Sequence, residues 1–358
     1  MNEDKKVISL FSGAMGLDIG LEKAGLSVVL GQEFDKDCLA TAKLNHRKVL
    51  PGDIRMISVE DILACAEMEK EEAFLVCGGP PCQPFSTAGK RLGIQDPRGS
   101  LFRDFVRMID GIRPRFFVME NVRGIMSSLV EPKNPESDAV IDIVLEEFAK
   151  LNYKTVYGIV NAVDYGTPQF RERFILLGSR DNEDIFIPRP THFQKHQDKK
   201  YQWQTLRSAI EDLEDLYGDC GQFSAKRAQY IKLVPEGGNW RSLPIEILPS
   251  AMGGAYQSGG GKTGFYRRLA YDEPCPTLVT SPMQKATLMC HPKKNRPLSV
   301  QEYARVQQFS DGWIVAGTLT SRYRQIGNAV PVGLAEQIGK AILATAEGTA
   351  IIKTKRVK

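Results

Sequence analysis

Short apolar runs alternate with helix-like stretches along the first 180 residues of the chain. The first run, residues 7–11, leads into the glycine turn 12–16 and then into a helix-like stretch that Gly25 would end. The same order of strand and helix returns in three further stretches: residues 27–46, 52–77 and 101–119. This alternation predicts an α/β fold with a doubly wound, mostly parallel sheet.

The regular alternation ends near residue 180, and the chain stays polar and rich in turns until about residue 295. A capping-box pattern of Ser299 and Glu302 then opens a helix, and the last helix has an apolar face that must pack on the sheet domain. That face consists of Leu334, Ile338, Ala341 and Ile342. We expect a sheet domain over 1–180, a smaller irregular domain over 181–295, and a carboxyl-terminal segment over 296–350 that returns to the sheet domain.

The composition excludes several classes of protein. The 358 residues carry a formal charge of only +4, so a polyanionic partner must be bound by local clusters of Lys and Arg. Seven cysteines without a C-x-x-C pair indicate neither a disulfide framework nor a zinc site, and no metal is expected. The sequence has no signal-peptide pattern and no apolar stretch long enough to span a bilayer. We expect a cytoplasmic protein without a membrane partner.

A stiff turn presents one cysteine at the end of a predicted buried strand. The apolar residues 73–77 are followed by two glycines and two prolines, and Cys82 comes directly after them. An isolated cysteine is more often a small buried hydrophobic residue than a nucleophile, and Cys77 fits that interpretation. Cys82 does not, because the surrounding prolines remove backbone donors and stiffen the loop. Cys82 is therefore predicted to be a reactive thiol.

Two acidic residues follow the first predicted strand and its helix. Glu33 ends the second strand, and Asp53 follows in the segment Gly52-Asp53-Ile54. Carboxylates at this edge of a sheet can accept the hydroxyl groups of a ribose or bind an adenine amino group. The glycine turn lacks the full G-x-G-x-x-G pattern, so it is weak evidence for a nucleotide. Ordinary helix capping explains each acid equally well when it is taken alone.

A thiol, a carboxyl group and two arginines are predicted to meet at the carboxyl edge of the sheet. Glu120 follows the strand over residues 115–119, and Arg171 and Arg173 share one face if their segment is extended. Methylation of cytosine carbon 5 needs such a set, because that carbon becomes nucleophilic only after a thiolate adds to carbon 6. The carboxyl group and an arginine would stabilise charge on ring nitrogen 3 and the carbonyl oxygen. A buried ion-pair network is the alternative interpretation.

From about residue 7 to 340, the order of these segments resembles the DNA (cytosine-5) methyltransferase family of the prokaryotic restriction-modification type. The matching segments are Phe11-Ser12-Gly13-Ala14-Met15-Gly16, Glu33, Gly52-Asp53-Ile54, Gly79-Pro80-Pro81-Cys82-Gln83-Pro84-Phe85-Ser86, Glu120-Asn121-Val122, Gln169-Phe170-Arg171-Glu172-Arg173, Arg296-Pro297-Leu298-Ser299 and Gln325-Ile326-Gly327-Asn328-Ala329-Val330-Pro331. The resemblance implies S-adenosylmethionine as cofactor and double-stranded DNA as partner. It departs at Met15, where the family generally has glycine, and at Phe34, where tryptophan is common.

The resemblance implies a role for each matching residue. Cys82 would be the nucleophile that attacks carbon 6 of a flipped cytosine, Glu120 the partner of ring nitrogen 3, and Arg171 with Arg173 the rest of the base pocket. The implied cofactor-binding residues are Phe11, Gly13, Gly16, Glu33, Phe34, Asp53, Ile54, Pro80, Asn328 and Val330. Despite the change from tryptophan, Phe34 can still stack on adenine.

The resemblance also implies how DNA is bound. Residues 181–295 correspond to the family's variable target-recognition domain, and residues 87–100 to a loop that closes over DNA. The candidate DNA contacts are Ser86, Lys90, Arg91, Arg98, Arg241, Lys262, Arg267 and Arg268. Exposed basic residues in loops are often only solvated, which is the alternative for this set. The expected enzyme is a monomer that modifies a short site and protects it from a cognate restriction endonuclease.

Two other functions remain open at this point. A tRNA cytosine methyltransferase of the DNA-enzyme-like type shares the catalytic segments, although the Cys-Phe-Thr tripeptide associated with that subgroup is absent here. The RNA class with two catalytic cysteines is disfavoured because no second cysteine follows a strand in a comparable turn. A non-catalytic DNA-binding regulator would usually have lost the thiol or the carboxylate, and Cys82 and Glu120 are both present.

Overall fold

The computed structural model describes residues 5–81, 100–129, 139–213, 218–257 and 263–349. Two compact units contain these residues. Unit 1 comprises the described residues within Met1–Asn161, Glu172–Pro190 and Val332–Lys358, and unit 2 those within Ala162–Arg171 and Thr191–Pro331.

The described part of unit 1 contains a seven-stranded sheet. The strands are β1 Lys6–Leu10, β2 Ser27–Glu33, β3 Val49–Pro51, β4 Leu75–Gly78, β5 Phe116–Val122, β6 Lys154–Asn161 and β7 Glu172–Ser179. Their order is β3-β2-β1-β4-β5-β7-β6. Strands β1 to β5 pair in parallel, whereas β7 is antiparallel to both β5 and β6. The predicted α/β fold with a mostly parallel sheet is confirmed.

Helices account for most of the remaining regular structure. They are α1 Gly16–Lys23, α2 Lys36–Leu44, α3 Val59–Ala66, α4 Ser100–Ile112, α5 Val140–Lys150, α6 Leu206–Ile210, α7 Ala225–Ile231, α8 Leu248–Met252, α9 Gly254–Gln257, α10 Val300–Val306, α11 Leu319–Asn328 and α12 Val332–Ala346. Unit 1 holds α1 to α5 and α12, and unit 2 holds α6 to α11. Within the described ranges, no helix is long and apolar enough to cross a membrane.

Local capping explains where several of these helices begin and end. The Asp35 side chain accepts hydrogen bonds from two backbone amides at the start of α2. Ser58 and Asp61 form a capping box at the start of α3. Helix α3 ends at Ala66, because the backbone of Glu67 turns into the left-handed region at φ 56°. Gly25, at φ 103°, follows α1 as predicted.

The last helix packs on the first helix of unit 1. A methyl group at Gly20 of α1 would lie 2.3 Å from the Cβ atom of Ala335 in α12, so only glycine allows this close approach. The four predicted apolar residues of α12, which are Leu334, Ile338, Ala341 and Ile342, are all buried. The prediction that this face packs on the sheet domain is confirmed. Its burial removes apolar surface from water, which is the main stabilising contribution of such a helix.

Unit 2 is built from short helices and turns around its own small core. Buried residues of that core are Tyr230, Ile231, Val234, Leu243, Leu288 and Cys290. Ser299 and Glu302 form the predicted capping box at the start of α10, which ends at Val306. Low sequence periodicity in this region agrees with the shortness of its helices.

The two units divide the chain differently from the three predicted segments. Residues 296–331 belong to unit 2, and only α12 returns to unit 1. The short stretch Ala162–Arg171 also belongs to unit 2. One reason is the buried side chain of Gln169, which donates a hydrogen bond to Gln307 and accepts one from the amide of Leu278. The functional roles of the predicted segments stay predictions.

Candidate active site

Glu120 lies beside the turn that leads to Cys82. The parallel pairing of β4 with β5 sets Gly78 opposite Met119, so the next residues, Gly79 and Glu120, are neighbours. A methyl group at Gly79 would be 2.9 Å from a carboxylate oxygen of Glu120. Glycine at this position therefore lets the carboxylate approach the backbone of the turn. Cys82 itself lies outside the described residues.

Asn121 attaches the same turn to β5. Its side-chain amide donates a hydrogen bond of 3.3 Å to the carbonyl oxygen of Pro80, while its side-chain oxygen accepts the amide of Val122 at 2.8 Å. Both groups of the buried Asn121 side chain are thus used to fix the backbone. Glu120 and Asn121 contact consecutive residues of the turn, which holds the chain in position just before Cys82.

Glu120 forms a buried ion pair with Arg173. The Nε atom of Arg173 is 2.7 Å from a carboxylate oxygen of Glu120, and the two side chains are 11% and 12% exposed. The antiparallel register sets Arg173 opposite Val122, so its side chain reaches Glu120 diagonally on one face of the sheet. Burial lowers the pKa of the Arg173 guanidinium, and the neighbouring Glu120 carboxylate opposes this shift.

Arg171 has different partners from Arg173. It precedes β7, is only 1% exposed, and donates hydrogen bonds to the carbonyl oxygens of Leu278 at 3.0 Å, Gly327 at 2.7 Å and Ala329 at 3.1 Å. The predicted sharing of one face assumed an extended segment through both arginines. Because Arg171 comes before the strand begins, its guanidinium instead holds three backbone carbonyls of unit 2 together.

Glu33 organises the glycine turn after β1. One of its carboxylate oxygens accepts the amide of Gly13 at 2.7 Å, and the other accepts the amides of Phe34 at 2.7 Å and Asp35 at 2.8 Å. Helix capping does not explain Glu33, because Asp35 is the residue that caps α2. Phe11, at φ 55°, adopts a left-handed backbone that is unusual for a bulky residue. Such strain is common at ligand sites.

Phe34 and Asp53 lie where neighbouring parallel strands β2 and β3 end. The Phe34 ring is 71% exposed, which is unusual for so large an apolar side chain. Asp53 caps a short turn that contains the buried Ile54, and its carboxylate pairs with the guanidinium of Arg55. Hydrogen bonds from Arg55 lower the pKa of Asp53, so this carboxylate is ionised. The strand ends thus present an exposed ring and an acceptor.

The remaining predicted cofactor residues occupy different positions. Gly16 begins α1, and Pro80 follows β4 directly after Gly79. In unit 2, Asn328 ends α11 with an exposed side chain, and Val330 is buried. The backbone around Asn328 is held by Arg171 and by Gln307, whose amide donates to the carbonyl oxygens of Ile326 and Ala329.

The predicted DNA contacts of unit 2 differ sharply in exposure. Arg268 is 5% exposed, and its guanidinium donates to six acceptors: the carbonyl oxygens of Ile231, Val234, His291, Pro292 and Lys294 and the side chain of Asn295. It is a structural residue and not the exposed cation that was expected. Arg267 bonds the carbonyl oxygen of Leu288, and burial lowers its pKa. Arg241 is exposed and lies over the ring of Trp240.

Five other predicted contacts lie outside the described residues. These are Ser86, Lys90, Arg91, Arg98 and Lys262. The structure therefore gives no test of them, and they stay predictions.

Comparison with known proteins identifies the family of the chain. A model of the C-5 cytosine-specific DNA methylases matches residues 5–344. The chain belongs to this family. Type II methyltransferase M.Sau96I of Staphylococcus aureus is 40% identical to this methyltransferase over 344 residues, which cover 96% of this chain and 76% of that protein. Type II methyltransferase M.PspPI of Psychrobacter is 40% identical over 347 residues, or 94% and 78% of the two chains.

Solved structures share the fold of this methyltransferase. A candidate DNA modification methyltransferase encoded in an Escherichia coli prophage superposes with a TM-score of 0.68 at 23% identity, covering 96% of this chain and 99% of that one. Spodoptera frugiperda DNMT2 gives a TM-score of 0.59 at 17% identity, with 94% and 99% covered. These likenesses show the fold alone. The sequence matches place the chain among type II restriction-modification methyltransferases, whose family uses S-adenosylmethionine.

Sequence analysis missed one buried polar cluster of this methyltransferase. The hydroxyl group of Ser9 donates to a carboxylate oxygen of Asp18 at 2.6 Å, and the other oxygen of Asp18 has no hydrogen-bond partner among the described residues. Burial raises the pKa of Asp18 to about 7. The signal in the sequence is an acid between Leu17 and Leu21, on the buried face of α1.

Proposed function

We propose that this methyltransferase modifies carbon 5 of a cytosine within a specific short duplex sequence, through a covalent bond between Cys82 and carbon 6 of a flipped base. The supporting observation is the buried pair of Glu120 and Arg173 beside Gly79, three residues before Cys82. A carboxyl group and a guanidinium paired beside a turn whose sequence continues to a cysteine suit activation of a pyrimidine ring.

Cys82 is the proposed nucleophile. Addition of its thiolate to carbon 6 forms a carbon–sulfur bond. The electron pair of the double bond between carbons 5 and 6 moves to carbon 5 and is shared with the carbonyl oxygen and ring nitrogen 3. Buried thiols are poor candidates for this step, because burial raises the pKa of Cys77 well above its ordinary value and that of Cys275 and Cys290 to about 12. After carbon 5 has gained the methyl group, a base takes the proton from carbon 5. The electron pair left behind re-forms the double bond between carbons 5 and 6, which breaks the carbon–sulfur bond and returns the thiolate.

Glu120 and Arg173 are the proposed partners of the base. Glu120 would hold a proton at ring nitrogen 3, where negative charge builds after thiolate addition. Arg173 fixes the orientation of that carboxyl group through the 2.7 Å contact, and we assign it the carbonyl oxygen of the base as a further acceptor. Arg171, whose donors hold backbone carbonyls, is assigned a positioning role in unit 2.

The residues at the ends of β1 to β3 are suited to S-adenosylmethionine. Glu33 retains one acceptor site for a ribose hydroxyl group, on the oxygen that accepts the amide of Gly13, since an ionised carboxylate has about four acceptor sites and three amides occupy the others. The exposed ring of Phe34 offers a stacking surface for adenine, and Asp53 an acceptor for its amino group. The family motif adds Phe11, Gly13, Gly16, Ile54, Pro80, Asn328 and Val330. When bound, the cofactor supplies the methyl group from a sulfonium centre.

The target cytosine must leave the base stack to meet the thiol. We assign recognition of the surrounding sequence to residues 181–295, as the resemblance implies, and protection of host DNA from a cognate restriction endonuclease as the biological role. Relatives named as type II methyltransferases support this role.

Methyl transfer to defined nucleic acids tests the proposal. Purified protein, labelled S-adenosylmethionine and mixed duplex DNA should give 5-methylcytosine, Cys82→Ser should give none, and the half-buried control Cys220→Ser should retain activity. DNA with 5-fluorocytosine should form a denaturation-resistant adduct, because fluorine cannot leave carbon 5 as a cation. Absence of label with a folded protein contradicts the proposal. Uptake into tRNA alone would favour the RNA enzyme instead.

A further inference from the structure

We infer that residues 193–201 of unit 2, called here the lysine loop, form a sequence-independent contact with the phosphate backbone of duplex DNA. This inference rests on the proposed function, because it supplies a second contact for the same DNA. The lysine loop is separate from the predicted contacts at Arg241, Arg267 and Arg268, and its charge is presented by a small preformed structure.

The lysine loop is exposed along its whole length and carries a net positive charge. All nine of its residues are exposed, and Lys195, Lys199 and Lys200 outnumber the one acid, Asp198. Asp198 pairs with Lys200 at 3.1 Å. Among the described residues, neither Lys195 nor Lys199 has a carboxylate within ion-pair distance, so their charges are available to a polyanion.

Asp164 anchors both ends of the lysine loop. Its carbonyl oxygen accepts the amides of Thr191 and His192 at 2.9 Å each, just before the loop. Its carboxylate accepts the indole N–H of Trp203 at 3.0 Å, just after the loop. Two ends held by one residue keep the loop in a defined position. A preformed surface loses less conformational entropy when it binds a ligand.

Backbone hydrogen bonds close the lysine loop on itself. The amide of Phe193 donates to the carbonyl oxygen of Tyr201 at 2.8 Å, and the amide of Trp203 donates to that of Phe193 at 2.9 Å. Inside the loop, the Asp198 side chain caps a short turn by accepting the amide of Lys200 at 3.0 Å. The lysines are therefore carried by fixed backbone, unlike those of an unstructured charged tail.

Exposed aromatic rings lie at both ends of the lysine loop and next to its lysines along the chain. The rings of Phe193 and His196 stack with centroids 5.8 Å apart, and His196 meets the edge of Tyr201 at 5.1 Å. Phe193 and Tyr201 remain 44% and 41% exposed. Rings that stay this exposed contribute little to a core, and here they pack on one another, which stiffens the segment that carries the lysines. Lys200 lies over the Tyr201 ring at 4.7 Å, which further orders the loop.

Duplex DNA is the polyanion that this chemistry favours. The chain belongs to a DNA methyltransferase family, and lysines bind phosphates without reading sequence. A net charge of +4 spread over 358 residues gives little general attraction, so local clusters must provide it. The lysine loop is such a cluster.

The salt dependence of binding tests the inference. Affinity for a mixed-sequence 40-base-pair duplex is measured by fluorescence anisotropy over a range of salt concentrations. For Lys195→Gln with Lys199→Gln, loss of two phosphate contacts should make the slope of log K against log salt about 1.8 less steep. The fall in affinity between 50 and 200 mM salt should then be about tenfold smaller than in the unmodified protein. Label uptake at saturating DNA should be retained.

Three further variants separate this role from a general effect of charge. Lys23→Gln with Lys43→Gln removes the same charge from the last turns of α1 and α2, and the slope should not change. Lys195→Arg with Lys199→Arg should keep the original slope. Trp203→Phe keeps both lysines but loses the anchor to Asp164, so affinity should fall while the slope stays constant.

The outcomes distinguish the inference from the proposed function. Equal slopes for the lysine-loop variant and the control at residues 23 and 43 would overturn the inference even if methylation is normal. A change of slope with tRNA but not with duplex DNA would overturn the assignment of the partner. The unmodified protein could bind DNA with the expected salt slope and transfer no methyl group. In that case the proposed function would be wrong, and the inference about the lysine loop would be kept.

Discussion

The guanidinium of Arg173 and the carboxylate of Glu120 form an ion pair in which the Nε and carboxylate oxygen atoms are 2.7 Å apart. The pair joins β7 to β5. On the other side of β5, Glu120 also lies against Gly79, which directly follows β4. One carboxylate is therefore fixed by an arginine from an antiparallel neighbour and by a glycine from a parallel neighbour. Both contacts are present without a substrate, which is the preorganisation that the proposed proton transfer to a base would require.

Removal of one member of this pair should destabilise the protein and abolish methyl transfer. Arg173→Gln leaves a buried carboxylate without its cation, and Glu120→Gln leaves a buried cation, so each should cost about 3–5 kcal/mol in the free energy of unfolding. The double variant has neither charge, so its loss in the free energy of unfolding should be much smaller than the sum of the losses of the two single variants. Urea unfolding and label uptake measure the two effects. Strictly additive losses would contradict direct pairing.

Gly79→Ala should impair activity more than stability. The added methyl group would meet only the end of the Glu120 side chain, which can give way by a small shift that keeps its ion pair with Arg173. The free energy of unfolding should therefore change by less than about 1 kcal/mol, whereas a displaced carboxylate should lower kcat by up to about 100-fold. Gly312→Ala is the matched control, because a methyl group there meets nothing within 4 Å. Equal activity of the two variants would argue against a role for Glu120 at this turn.

The sequence predicts the strand-end residues of unit 1 because local patterns determine them. Alternating apolar runs place Glu33 and Glu120 at strand ends, and the structure keeps both there, inside the last residues of β2 and β5. The ion-pair interpretation of Glu120 and Arg173 also follows from charge and spacing. Family motifs then give these positions chemical roles that periodicity alone does not.

Arg171 and Arg268 have hydrogen-bond partners that the sequence does not predict. Both lie in segments without periodicity. Both side chains are buried, and they donate hydrogen bonds to backbone carbonyl oxygens from distant parts of the chain. An arginine among glycines looks exposed, since nothing in its neighbours reveals six acceptors brought together by tertiary structure. Asp18 was overlooked for the opposite reason, because an acid in an amphipathic helix is normally assigned to the solvent face.

Arg268 and Arg241 should give opposite results when substituted. Arg268→Lys keeps the charge but cannot reach six acceptors, so it should cost more than about 3 kcal/mol in the free energy of unfolding. Arg241→Gln removes an exposed side chain and should change that free energy by less than about 0.5 kcal/mol. Affinity for duplex DNA should fall for Arg241→Gln, with a salt slope reduced by about 0.9. Thermal unfolding and anisotropy distinguish the two. A stable Arg268→Lys protein would contradict the structural assignment.

Asp18 should make the stability of unit 1 depend on pH. Burial, together with the nearby Glu22 carboxylate, raises its pKa from 3.8 to about 7, against the opposing effects of the Ser9 hydrogen bond and Arg47. Between these two values the folded state keeps a proton that the unfolded state loses. The free energy of unfolding should therefore fall as pH rises from 4 to 7, by about 1.4 kcal/mol per pH unit at most. Above pH 7 the free energy of unfolding stays at this lower value.

Asp18→Asn removes this titration and so provides the test. Its free energy of unfolding minus that of the unmodified protein, measured in urea at pH 5, 6, 7 and 8, should increase up to about pH 7 and then level off. Asp61→Asn is the control of opposite sign, because hydrogen bonds from Ser58 lower the pKa of Asp61. Its difference should stay constant over the same range, since Asp61 is ionised throughout in both states. If the difference in free energy of unfolding were constant for Asp18→Asn as well, the buried carboxylate would lose its proton without cost. That result would contradict the burial of a carboxylate oxygen that has no hydrogen-bond partner among the described residues.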